Sequence, residues 1–238
     1  MNRFRNRSSS YPLSPLPKSM MTLQQDFPIE LAILEEIFGS DVVARSMDRL
    51  NEIHNFAERR WQEYVTLIPD GIVRYLLIAE APPWKATGAP WFVLDPASPS
   101  RTLMKTLRKT FLNDAQSAQF TTAEALKELA RRGFLIIDSV PFSMNYSSKQ
   151  RRNPRYRNLV ARSVQTYLQR KIIWPSLSWS PDVRVAFAFK LNAMAIIEAL
   201  EGQLELGNTT QLLGENLIAA SQSGFPNADN LKAIYALG

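Results

Sequence analysis

The chain has 238 residues, 45% hydrophobic and 21% charged, with Gly 9 and Pro 15; this fits a protein with a buried core and excludes collagen-like and glycine-linker architectures. No apolar run reaches the roughly 18 to 20 residues of a spanning helix, and Cys 0 with His 1 excludes disulfides, zinc fingers, Cys nucleophiles and His-rich metal sites, leaving His54 as the one imidazole. The net charge of +6 is segregated: residues 1–20 carry +4 (Arg3, Arg5, Arg7, Lys18) and Lys149 to Lys171 carry +8, both without an acid, so the rest of the chain is at −6. Such segregation suits a polyanion, or else a solvated helix face.

Residues 1–22 mix Arg, Ser and Pro with no apolar period, and are expected to be a disordered basic tail ahead of one domain spanning 23–238. The tail has the Arg and Ser of a transit peptide, but Pro12, Pro15 and Pro17 oppose an amphipathic presequence helix; with no secretory apolar region, a cytoplasmic, monomeric protein off the membrane is expected. Asp26 and Pro28 open a helix with Ile29, Leu31, Leu34, Ile37 and Phe38 on one side and Gly39 as its stop. A second helix is expected from about Asp41 to Tyr64, with His54 beside its apolar stripe.

The period then changes. Short, continuous apolar runs at Val73–Ala79, Phe134–Val140, Val183–Phe189 and, more weakly, Asn216–Ala220 alternate with helical patterns at Ser100–Leu112, Thr122–Arg132, Asn158–Trp174, Leu191–Leu200 and Asn230–Leu237. This is a βα alternation, predicting an α/β protein: a three-layer α/β/α arrangement around a mostly parallel, four-stranded sheet. Ligands of such sheets sit beyond the carboxyl ends of the strands. There the sequence places Glu80-Ala81-Pro82-Pro83-Trp84, then Gly88-Ala89-Pro90-Trp91-Phe92-Val93; Asp138 with the loop Asn145–Asn153; Lys190; and the turn Ser221–Asn230, whose small and polar residues could cradle a phosphate.

In this order the motifs resemble the uracil-DNA glycosylase superfamily. Ala79-Glu80-Ala81-Pro82-Pro83 is similar to its GEAPG-type first motif, and Gly88 to Val93 to the GxPFVG of its iron–sulfur branch. Ile137-Asp138-Ser139-Val140 with Arg152-Asn153-Pro154 resembles ITNVVKC...RNP, the stretch Val183 to Ile197 its VxLALGxxAxxAL, and Ser221 to Asn230 its HPSPxNPxxN turn. The departures are as specific. Ser221-Gln222 replaces His-Pro, so the usual imidazole is absent; Asp138 stands where Asn reads the base; Ala81 replaces a water-positioning Asp or Asn; and the four cluster cysteines are missing.

The resemblance implies DNA as partner; with Cys 0 and His 1 and the cluster cysteines missing, no metal or cofactor is expected. Glu80, Ser221 and Ser223 are the candidate catalytic residues; Ala81, Trp91, Phe92, Asp138 and Asn145 would hold the base; Arg151, Arg152, Asn153, Arg155, Lys190 and Asn230 would contact nucleic acid. N-glycosidic cleavage needs an extruded base stacked on an aromatic and a carboxylate near the sugar, which Trp91 or Phe92 and Glu80 could supply. An ionised Asp138 accepts only, whereas uracil offers O4 as acceptor beside N3–H; Asp138 therefore suits a base with N–H donors, or reads uracil only if protonated. The expected function is a glycosylase-like protein that binds DNA and hydrolyses the bond to a damaged or deaminated base. The alternatives are a catalytically silent member binding nucleic acid, a nucleotide or a base, and an unrelated α/β protein binding a small anion.

Overall fold

Three of the four expected runs form the strands of one parallel sheet, because unbroken aliphatic stretches bury both their faces. They are β1 (Ile72–Ala79), β2 (Phe134–Asp138) and β3 (Ser178–Phe187), in the order β2-β1-β3, with Ala79 paired to Asp138 and Ile78 to Phe187. The computed structural model describes residues 22–221 and 224–237; the expected tail, apart from Thr22, lies outside the described residues, as do Gln222 and Ser223.

The expected fourth strand, Asn216–Ala220, is a correction. Only Ile218 bridges Phe187 in parallel, with the Ala219 N–H on the Phe187 carbonyl at 2.8 Å. A 3-10 turn at Glu215–Leu217 and a bridge from Ala220 back to Pro226 leave no length for a ladder. A hairpin that periodicity did not suggest precedes it, β4 (Gln203–Leu206) against β5 (Thr209–Leu212), turning at Gly207-Asn208 with Leu204 and Leu206 buried.

The helices are α1 (Leu23–Asp26), α2 (Pro28–Phe38), α3 (Ser40–Val65), α4 (Thr102–Phe111), α5 (Asp114–Gln119), α6 (Thr122–Arg131), α7 (Ser148–Arg151), α8 (Pro154–Ser163), α9 (Gln169–Ile172), α10 (Lys190–Ala199) and α11 (Ala228–Tyr235). α2 packs on α3 and α8, and α8 on α10; α11 packs on α4 and β3, and α6 on β2. Gly133, at φ +74°, turns α6 into β2, and a Cβ there would lie 2.7 Å from the Ile72 carbonyl oxygen.

β2 is an edge strand, and its outward carbonyls need donors. α3 supplies them: the Trp61 indole N–H donates to the Ile136 carbonyl at 3.0 Å and the Tyr64 hydroxyl to that of Phe134 at 2.9 Å. The long N-terminal helix thereby caps the free edge next to Asp138. α8 and α9 are joined through a π turn, Val164–Leu168, where the Gln169 N–H reaches back to the Val164 carbonyl. One helical run from Pro154 to Ile172 stands where the sequence suggested Asn158–Trp174.

Candidate functional site

A cleft of about 490 Å³ opens beyond the carboxyl ends of β1 and β2. Its floor is Ala79, Glu80, Ile136 and Asp138; its walls include Trp84, Trp91, Tyr146, Phe189 and Phe225; Arg101 and Lys105 of the α4 end stand at it as well. The wall loop is pinned from α3: Arg49 donates to the carbonyls of Lys85 and Gly88, each at 2.7 Å, and Lys85 closes the loop on the Ala89 carbonyl at 2.9 Å. The N-terminal helices are thus part of the site's frame.

Glu80 is buried at 6% exposure, and its carboxylate is held on three sides. Arg151 grips it through two parallel bonds, Nε to Oε1 at 2.7 Å and Nη2 to Oε2 at 2.6 Å, and the Tyr156 hydroxyl donates to Oε1 at 2.5 Å. Local sequence puts both donors there. Arg151 ends α7, whose start is capped by Ser147, and the Asn153-Pro154 pair starts α8, so Tyr156 falls on its buried side. Burial and the Glu80 charge hold the Tyr156 phenol well above the ordinary tyrosine range, so it is a donor to Glu80. Ser139 donates to the Glu80 carbonyl at 3.2 Å and accepts from Asn192 at 2.9 Å, tying β1, β2 and α10 together.

Asp138 is treated in the opposite way. It is 3% exposed, and its Oδ2 is enclosed with no hydrogen-bond partner. Burial pushes its carboxyl up to about 7, against the pull of Lys171 and with a further push from Glu58 and Glu80. Near neutral pH the group is therefore divided between a hydroxyl that donates and a carboxylate that only accepts. Lys171, 4% exposed, bonds Glu58 at 2.7 Å and lies 4.4 Å from the Trp61 ring centre and 4.7 Å from that of Tyr167. The Tyr167 hydroxyl donates to the same Glu58 oxygen at 2.6 Å. His54 packs edge-on against Phe27 and near Tyr167; burial lowers its pKa, and it belongs to this interior cluster rather than to the cleft.

Four of the eight basic residues from Lys149 to Lys171 are ion-paired in the folded chain. Acids from distant segments meet them: Glu80 pairs Arg151, Glu36 pairs Arg155 at 2.7 Å, Glu198 pairs Arg157 at 3.5 Å, and Glu58 pairs Lys171. Lys190 likewise meets Glu215 at 3.6 Å. Arg152 is exposed and has no acid partner among the described residues. Arg101 and Lys105 also lack one among those residues; the Arg101 guanidinium stacks 4.4 Å from the centre of Trp91.

Glu80, Ala81, Trp91 and Asp138 therefore come together as expected, while several other candidates do not. Phe92 is 2% exposed and packs into the core, so Trp84, Tyr146, Phe189 and Phe225 provide the further aromatic walls. Asn145 is exposed, and its neighbours Met144 and Tyr146 line the cleft instead, since alternate residues of an extended loop face opposite ways. Asn153 is spent as the cap of α8, accepting the Arg155 N–H at 2.9 Å, and Asn230 braces the last turn on the Ala219 carbonyl at 3.3 Å. Ser221 closes that turn with Phe225 and Gly224 and does not line the cleft; Ser223 lies outside the described residues. Tyr156, Lys171 and Glu58 were not nominated from sequence, being single polar residues on otherwise ordinary amphipathic helices. Among the described residues no three His, Asp or Glu side chains gather as a metal-ligand set, and no helix is long and apolar enough to cross a membrane. Compared with protein-family models, with curated proteins and with solved structures, the chain matches none.

Proposed function

We propose that the cleft holds the base of a nucleotide within a DNA strand, and that the protein is a DNA-binding member of the uracil-DNA glycosylase-like, three-layer α/β/α fold in which binding has outlasted hydrolysis. The observation behind this reading is the convergence of two buried carboxyls, Glu80 and Asp138, from neighbouring strand ends in one aromatic-walled cleft beside Arg101 and Lys105. Trp91, backed by Arg101, offers a flat stacking surface, Asp138 meets the polar edge of the base, and the two cations meet the strand's phosphates. Hydrolysis is the lesser reading because Glu80 already accepts three charge-assisted or phenolic hydrogen bonds. A carboxylate has about four such sites, so little capacity is left to orient a water.

The test is incubation with single-stranded oligonucleotides carrying uracil, hypoxanthine or xanthine, reading fluorescence anisotropy for binding and alkaline strand breaks for abasic sites. Binding that weakens with salt, weakens further in Arg101→Ala with Lys105→Ala, and leaves no breaks is the expected result. Breaks that vanish in Glu80→Gln would replace this reading by the hydrolase. No binding even at low salt removes both.

A further inference from the structure

We infer that Arg49, on α3 and outside the cleft lining, is the positioning residue of the tryptophan wall: it fixes the loop that carries Trp84 and Trp91, and thereby sets how far the protein prefers an oligonucleotide bearing bases to one without them. The inference rests on the base-binding reading above and adds to it the residue through which the stacking surface is held.

Between Glu80 and Arg101 the chain crosses from β1 to α4 without a helix or a strand. From Ala81 to Trp91 no backbone group bonds another among the described residues, and Pro82, Pro83 and Pro90 have no N–H to offer. Such a segment has no ladder of its own to hold it in one shape. Side chains supply the hold instead. Arg49 Nε donates to the Lys85 carbonyl and Nη2 to the Gly88 carbonyl, each at 2.7 Å, while Nη1 is taken by Glu52 one turn along α3. Lys85 closes the turn on the Ala89 carbonyl at 2.9 Å, with Gly88 at φ +74° inside it. The pinned stretch lies between the two tryptophans, Trp84 directly before it and Trp91 two residues after, and both line the cleft.

All three arms of the Arg49 guanidinium are engaged, and the side chain keeps only 15% exposure. Its charge is spent on protein acceptors, whereas Arg101 and Lys105 stand at the cleft with no acid partner among the described residues. Two contributions to affinity are thereby separated. Arg101 and Lys105 govern the part that salt screens, and Arg49 governs the part that comes from a base stacking on a ring. The fork itself is what the loop needs, because a planar guanidinium bridges two carbonyls at once and an ammonium on a flexible stem does not.

The experiment measures, by fluorescence anisotropy over a range of salt, the affinity for two single-stranded oligonucleotides of one length, one with bases throughout and one with abasic tetrahydrofuran sites at its centre. It uses the full-length chain and its Arg49→Met and Arg49→Lys variants. Alongside it, tryptic cleavage of the free protein after Lys85, whose carbonyl Arg49 holds, is followed by mass spectrometry. Arg49→Met should weaken the base-bearing oligonucleotide about tenfold, the lower end of what one base–aromatic stack contributes. The abasic oligonucleotide and both salt slopes should stay as they are, and cleavage after Lys85 should rise about tenfold as the loop opens. Arg49→Lys, which keeps the charge and loses the fork, should follow Arg49→Met in both readouts, and it carries the same test should Arg49→Met fail to fold. An Arg49→Lys that matches the wild type, or an Arg49→Met that weakens both oligonucleotides alike with a lower salt slope, would make Arg49 a plain surface cation and overturn the inference. A preference for bases that survives in Arg49→Met, whatever the cleavage rate, overturns it too. If the wild type binds neither oligonucleotide, the base-binding reading fails and takes the ligand half of the inference with it, while the rate after Lys85 still decides whether Arg49 holds the loop.

Discussion

Glu80 and Asp138 lie at the ends of adjacent strands, are equally buried and face one cleft, yet the fold treats them as opposites. Glu80 is surrounded by donors, two from a guanidinium and one from a phenol; Asp138 is left with an enclosed, unbonded oxygen. Burial alone does not decide whether an interior carboxyl is charged. The number of donors aimed at it does. Glu80 reads as a cross-link that binds the loop after β2 and the start of α8 to the end of β1, and Asp138 as the chemically open group of the pair.

The contrast makes its largest prediction in pH dependence. Asp138 ionises only near 7 when folded but near the ordinary Asp value of 3.8 when unfolded, so the folded state holds the extra proton between those limits. Its contribution is fully present below roughly pH 4 and is lost as pH rises through about 7, a change of about 4 kcal/mol. In urea unfolding, Asp138→Asn should therefore gain on the wild type by that amount between pH 4 and pH 8. Equal slopes for the two proteins would erase the contrast.

Glu80→Gln attacks the other member. It leaves Arg151 and Tyr156 without their acceptor charge, and at pH 7 the loss in unfolding free energy should be about 3 kcal/mol, the low end for breaking a buried pair because Arg151 retains some solvent. A loss below half of that would mean the clamp is ornamental. Trp61→Phe separates charge from frame: it removes the donor to the Ile136 carbonyl and some core volume while keeping a ring beside Lys171. Stability should fall by about 2 kcal/mol at every pH, with the slope due to Asp138 retained.

The α/β alternation was legible because buried parallel strands are short and unbroken: Phe134 to Asp138 is buried throughout, and β1 from Leu76 onward likewise. The fourth strand was not, since five apolar-leaning residues look alike whether they pair as a ladder or as the single bridge at Ile218. The cleft's floor was legible for a topological reason, as Glu80 and Asp138 each follow a strand. Its controls were not. Arg151, Arg155 and Arg157 read as a free basic loop because their partners Glu80, Glu36 and Glu198 are distant in sequence, and a local charge count is blind to acids that folding brings in. Phe92 and Trp91 are neighbours of equal promise in the chain, and only packing turns one into the core and leaves the other at the cleft.

The smallest predicted effect tests that last distinction between paired and unpaired cations. Arg155 and Glu36 are both more than half exposed, at 57% and 51%, so their ion pair is screened and Arg155→Ala should change stability by less than about 0.5 kcal/mol. On the proposed DNA-binding reading, its effect on affinity should be equally slight, because the charge is already balanced by Glu36. Arg101 and Lys105 have no such balance among the described residues. Removing each should lower the slope of log affinity against log salt by about one on a single-stranded oligonucleotide. A slope that falls for Arg155→Ala and stays put for Arg101→Ala would move the proposed nucleic-acid path from the α4 end of the cleft to the α8 surface, and Asp138 would then face a ligand arriving from the other side.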